Sequence, residues 1–116
     1  MIQVFLDGMY KVYCPIKPSP VQSRVATILA QQAAKVLKVP LPPIKFFLRK
    51  AGEQNFHGFA TDEGIFIGSG QTDLDVCRTV IHEMRHHYHR YHPGWMRRSE
   101  EHRERDALLF ELEWPR

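Results

Sequence analysis

Residues 82 to 86 read His82-Glu83-Met84-Arg85-His86, an HExxH pattern. In a helix, residues i and i+4 stand one above the other, so both imidazoles can direct a ring nitrogen at one Zn²⁺ ion about 2.0–2.1 Å away. Glu83, one position on, is carried to the side of such an ion, where its carboxylate can take a proton from an attacking water. The flanking residues point to an interior helix. Leu74, Val76, Cys77, Val80, Ile81 and Met84 mark a mostly apolar segment running to about residue 91, and imidazoles placed there need polar partners.

A catalytic zinc takes three protein ligands and leaves one position open. His92 stands six residues after His86, the metzincin spacing HExxHxxGxxH, but His89 occupies the place of the glycine at which that helix turns. The other source is an acid from residues 100–110. There Glu104 shares a helical face with Ala107, Leu108 and Leu112, the side expected to pack on the core, whereas Glu100 and Glu101 suit the dipole of a first turn. His102 and Asp106 form an i, i+4 pair of their own. The third position therefore lies open among Glu104, His92, His102, Glu101 and Asp106, and Asp106 is also placed to orient a ligating imidazole. Six of the seven histidines fall between positions 82 and 102. His82 and His86 are the expected ligands, His87 and His89 are expected at the surface, and His57 needs no role.

These side chains require a scaffold, and the rest of the sequence describes one. Residues 1–14 alternate about Asp7-Gly8 as a short hairpin, and the proline-rich stretch 14–20 then breaks any element. Apolar residues at three- and four-residue spacing (Val21, Val25, Ile28, Leu29, Ala33, Val36 and Leu37) predict an amphipathic helix over 21–37. Strands are expected at 44–50, 56–61 and 64–70, divided by turns that include Asp62, Glu63 and Gly64. Thr72 is placed to cap the HExxH helix, His92-Pro93-Gly94 to end it, residues 95–98 to form a loop, and Ser99 to cap a last helix through about 112. The expected fold is α+β: a three- to four-stranded sheet packed with an N-terminal helix, the HExxH helix and a C-terminal ligand-bearing helix, in one domain over 1–116.

Composition agrees. A chain of 116 residues, 43% hydrophobic and 25% charged, can bury a core without disulfides, and its two cysteines, Cys14 and Cys77, read as reduced thiols of a cytoplasmic protein. No apolar run approaches the roughly 18 residues of a membrane span, and Asp7 and Gly8 come too early for a secretory segment. The net charge of +3 and the six arginines Arg85, Arg90, Arg97, Arg98, Arg103 and Arg105 raise an alternative, a basic module that associates with nucleic acid. Glu100, Glu101, Glu104 and Asp106 interrupt that patch.

The HExxH segment followed by Glu104-Arg105-Asp106-Ala107-Leu108-Leu109-Phe110 resembles the ImmA/IrrE-type minimal gluzincins, whose HExxH helix precedes a helix reading ExEA(N/D)xF. In element order the resemblance covers residues 21–112; in detail it covers the two motifs. It implies Glu104 as the third ligand, Ala107 as the small residue that lets the two helices approach, and Phe110 as a packing aromatic. Leu108 departs from it, standing where the family has Asn or Asp. The implied activity is that of a zinc-dependent peptidase, often of phage or mobile-element origin, acting on a protein or peptide such as a repressor or other regulatory protein. In zincins the edge strand of a small sheet binds extended peptide, and Ile65, Phe66 and Ile67 are expected to form that strand. A zincin that keeps its metal for structure and binds a partner without cutting it is the remaining alternative.

Overall fold

A serine or threonine hydroxyl opens each of the three long helices in the computed structural model, which describes residues 1–6 and 8–115. Ser19 accepts from the N–H of Gln22 at 3.1 Å and starts α1 (Pro20–Leu37), with Pro20 in the first turn where no N–H is needed. Thr72 accepts from the N–H of Asp75 at 3.2 Å and starts α2 (Asp73–Arg90), whose first turn carries Asp73 and Asp75 against the helix dipole. The stretch expected as a loop contains one helical turn, α3 (Pro93–Met96), because Pro93 supplies the φ of a first helical position. Ser99 accepts from the N–H of His102 at 3.2 Å and starts α4 (Glu100–Leu112).

The strands form two sheets. β1 (Ile2–Leu6) and β2 (Met9–Tyr13) pair antiparallel as a hairpin; Asp7, expected in its turn, lies outside the described residues. β3 (Pro15–Ile16), β4 (Ile44–Phe47), β5 (Gly58–Thr61) and β6 (Gly64–Gly68) form the second sheet in the order β3-β4-β6-β5. β4 and β6 run parallel, and the other two pairings are antiparallel. The proline-rich segment does not break all structure, since Pro15 and Ile16 bridge to Phe47 and Phe46 at the sheet edge, where a missing N–H is tolerated.

Side-chain alternation divides this sheet between two cores. Phe46, Ile65 and Ile67 meet the alanines of α1, the apolar face of α2 and Phe110 of α4. Phe47, Phe59 and Phe66 meet Val4 and Tyr13 of the hairpin on the opposite face. β6 is therefore covered on both faces and paired on both edges, which overturns its expected part in substrate binding: Ile65, Phe66 and Ile67 are 0, 2 and 0% exposed. The edge strand beside them is β5.

Two helices also bury a face turned from the one expected, sharing with it only Ala33 and Leu37 on α1 and Ala107 on α4. α1 packs through Ala26, Ala30, Ala33, Ala34 and Leu37, leaving Val21, Ile28 and Val36 exposed, because small residues let it lie close on α2. α4 packs through Ala107 and Phe110, with Leu108 and Leu112 exposed. Among the described residues no helix is long and apolar enough to cross a membrane.

Candidate metal centre

α2 and α4 meet along the face that carries the motif. His82 Nε2 lies 2.8 Å from Oε1 of Glu104, and His86 Nε2 lies 2.8 Å from its Oε2, with the two imidazole centroids 5.0 Å apart. One ligand atom from each of the three residues falls within 4.8 Å of the others, close enough for all three to hold a single metal ion. Two imidazole nitrogens and a carboxylate are the donor set of a zinc site that keeps a further position free.

Neighbouring groups orient this set. The Nδ1 of His82 is 3.1 Å from Oε1 of Glu111. Both carboxylates accept, so His82 donates from Nδ1 to Glu111 and from Nε2 to Glu104, and the bond to Glu111 keeps the ring turned with Nε2 toward the site. Burial disfavours the imidazolium of His82, but the hydrogen bond to Glu104 and the charges of Glu83, Glu104 and Glu111 outweigh it and hold its pKa at about 9. The hydrogen bonds from His82 and His86 hold the Glu104 carboxyl well below the usual carboxylate range. Glu83 is only 6% exposed, and burial pushes its carboxyl up to about 7; the imidazoles of His86 and His82 oppose that rise, while Glu104 and Glu111 add to it.

The remaining sequence candidates go elsewhere. Asp106 accepts from Arg85 Nε at 2.6 Å and from His89 Nε2 at 2.6 Å, so it orients neither His82 nor His86; Glu111 has that place at His82. Arg85 in turn spreads over the rings of Tyr88 and Phe110, 4.2 and 5.2 Å from their centroids. His89, expected at the surface, is 1% exposed, and His87 is also buried, its Nε2–H donating to the carbonyl of Pro40 at 3.0 Å. His92 begins α3 and lies over the Tyr88 ring at 4.1 Å between centroids. The Ser99 hydroxyl lies 2.6 Å from Nδ1 of His102, and Glu101 pairs with Arg105 at 3.6 Å. Of the five residues open to the third ligand position, the structure brings only Glu104 to the two histidines.

The triad opens into a cleft of about 800 Å³. Its walls include Gly58, Phe59 and Ala60 of β5, Leu6 and Lys11 of the hairpin, and Leu108 of α4. His57, given no role by the sequence, stands in this wall as well. Of the six arginines that raised the nucleic-acid alternative, four are engaged within the fold. Arg85 holds Asp106, Arg105 holds Glu101, Arg98 covers the Trp95 ring at 5.2 Å, and Arg103 donates to the carbonyls of Trp95, Met96 and Arg98. Glu111 is the residue that sequence reasoning missed; its signal was the seven-residue spacing from Glu104, which returns a helix to the same face after two turns. No protein-family model, curated protein or solved structure matches the chain.

Proposed function

We propose that this protein is a zinc-dependent peptidase of the gluzincin type, resembling the ImmA/IrrE metallopeptidases, with His82, His86 and Glu104 as zinc ligands and Glu83 as the proton-handling residue. One observation carries the reading: two imidazoles and a carboxylate from separate helices converge on one point, with a buried carboxyl beside them and an open cleft in front. Zinc held by these three residues would supply Lewis acidity toward a peptide carbonyl and an attacking water. Glu83 takes the proton of the attacking water on its carboxylate and returns it to the departing amine. Glu111 keeps the His82 ring turned toward the site.

β5 suits the binding of a peptide. It is the edge of its sheet, and its residues Gly58, Phe59 and Ala60 line the cleft, so an extended peptide can add there through main-chain hydrogen bonds. Cys14 and Cys77 are free thiols, in keeping with a reducing cytoplasmic setting and with a protein substrate found there, such as a repressor.

The test compares zinc content and hydrolysis of a quenched fluorescent peptide library. Wild type should bind one equivalent of zinc and cut; Glu83→Gln should keep the zinc and lose at least about a hundredfold in rate. Zinc binding that survives His82→Ala combined with His86→Ala would overturn the site. Zinc uptake without hydrolysis would leave a degenerate zincin.

A further inference from the structure

Four residues of α2 at successive four-residue steps line the cleft: Arg78, His82, His86 and Arg90. The ligand histidines are thus bracketed by two guanidinium groups along one side of the helix. Each arginine stands one turn beyond a histidine, about 6 Å along the axis. That distance is roughly two residues of an extended peptide.

Both arginines are uncommitted. Neither forms a hydrogen bond or an ion pair among the described residues, whereas Arg103, the third arginine of the cleft wall, is engaged with three backbone carbonyls. Acids are also present in the wall. Glu83, Glu104 and Glu111 belong to the metal centre, and Glu53 is held by Tyr13 and by Lys11. Asp75 and Glu100 sit in the first turns of α2 and α4, where the helix dipole offsets their charge, and neither pairs with Arg78 or Arg90. Arg85, between the two ligand histidines, is held by Asp106 and does not line the cleft, so the α2 cations that the cleft presents are the two free guanidinium groups of Arg78 and Arg90, whose planar forks match a carboxylate.

We propose that the cleft selects acidic peptides, with Arg78 and Arg90 each receiving a substrate carboxylate within about two residues of the bond to be cut. This rests on the peptidase reading, and it favours a peptide over a nucleic acid. Asp75, Glu53 and Glu100 also line the wall and would repel a continuous phosphate backbone, whereas separated side chains can meet the two arginines alone.

The probes are a fluorescein-labelled decapeptide with Glu on both sides of a central apolar pair and the same peptide with Gln at those positions. Binding to zinc-loaded Glu83→Gln protein is measured by anisotropy at low salt, and cleavage by wild type is followed separately. The Glu peptide should bind ten- to a hundredfold more tightly than the Gln peptide, an advantage that shrinks at 0.5 M salt. In Arg78→Gln combined with Arg90→Gln the ratio should fall to near one, while zinc content of one equivalent shows that the double variant has folded. Reversing both charges to Glu should shift preference to a Lys-containing peptide. Equal binding of the Glu and Gln peptides, an advantage that survives the double variant, or displacement of the Glu peptide by an equal concentration of single-stranded oligonucleotide would each overturn the proposal. Arginine-dependent binding of the Glu peptide without any cleavage would sustain it and overturn the peptidase reading; cleavage indifferent to the Glu residues would do the reverse.

Discussion

His82 is gripped from both ring nitrogens by one helix: Glu104 faces its Nε2 at 2.8 Å and Glu111 its Nδ1 at 3.1 Å. The two acids stand seven residues apart on α4, so two turns bring them to the same side. α4 thus supplies both the carboxylate of the candidate metal site and the group that aims one of its histidines on α2. Ala107, fully buried between them in sequence, allows the two helices to close to that distance.

Removing Glu111 should therefore weaken zinc without removing a ligand. We expect Glu111→Ala to lose about ten- to a hundredfold in affinity, and Glu111→Gln to lose less, because its amide oxygen still accepts from Nδ1. Competition against a fluorescent zinc chelator measures both. A wild-type affinity in Glu111→Ala would show that packing alone holds the ring.

Zinc should also stabilise the fold by linkage. At free zinc a hundred times the dissociation constant the gain is about 2.7 kcal/mol, near 10 °C in melting temperature for a chain of this size. EDTA should reverse the shift, and Glu104→Ala should lose most of it. A melting temperature indifferent to zinc would mean that the triad does not hold the ion in the folded chain.

How much of this the sequence disclosed depended on whether the signal was local. His82, Glu83 and His86 lie within five residues of one helix, and the caps Thr72 and Ser99 act over three residues, so pattern sufficed to place both. Partners across elements were out of reach. Asp106 turned to Arg85 and His89 instead of a ligand histidine, and His89 went from an expected surface position to 1% exposure. The strand error has the same origin. An apolar run such as residues 64–68 reads alike at an edge or in the centre, and only the order β4-β6-β5 shows that β6 is central. On α1 the larger aliphatics outweighed the alanines in the pattern, yet closeness of packing favoured the alanines.

Asp106 should then behave as a half-buried structural acid. Burial would raise its pKa, but the hydrogen bonds and charges of Arg85 and His89 prevail and lower it. Its contribution is accordingly full above the ordinary value of 3.8 and lost as pH falls through the lower folded value. Asp106→Ala leaves Arg85 and His89 without their acceptor, and should cost about 3 kcal/mol in urea unfolding at pH 7. A loss under about 1 kcal/mol would mean that water or neighbouring residues replace it.

The alkaline limb should report Tyr13. Its hydroxyl donates to Oε2 of Glu53 at 2.9 Å, and burial, followed by that bond and the charge of Glu53, raises its pKa from 10.0 to about 12. Between those values the folded chain binds more protons than the unfolded one, so stability falls as pH rises. Wild type should lose about 2–3 kcal/mol more than Tyr13→Phe between pH 10 and 12. Parallel losses in the two proteins would place the alkaline sensitivity elsewhere.

Gly58 offers the most direct test of how β5 and α2 are set against each other. A Cβ at this position would lie 2.5 Å from the carbonyl oxygen of Phe66, 2.8 Å from Cγ2 of Thr79 and 3.5 Å from Cγ of Glu83. The first contact is backbone of the neighbouring strand and cannot move aside. The second is a threonine fixed by bonds to Gln71 and to the carbonyl of Asp75, both at 2.8 Å. Gly58→Ala must therefore push the edge strand away from β6 and α2, at about 1–3 kcal/mol. Because Glu83 is the third neighbour and none of His82, His86 and Glu104 is among the three, the displacement bears first on Glu83. Zinc affinity should stay within a few-fold of wild type while peptide turnover falls at least tenfold. Loss of zinc and turnover together would show that β5 supports the whole centre; no change in either would mean that the strand takes no part in positioning Glu83 or the peptide.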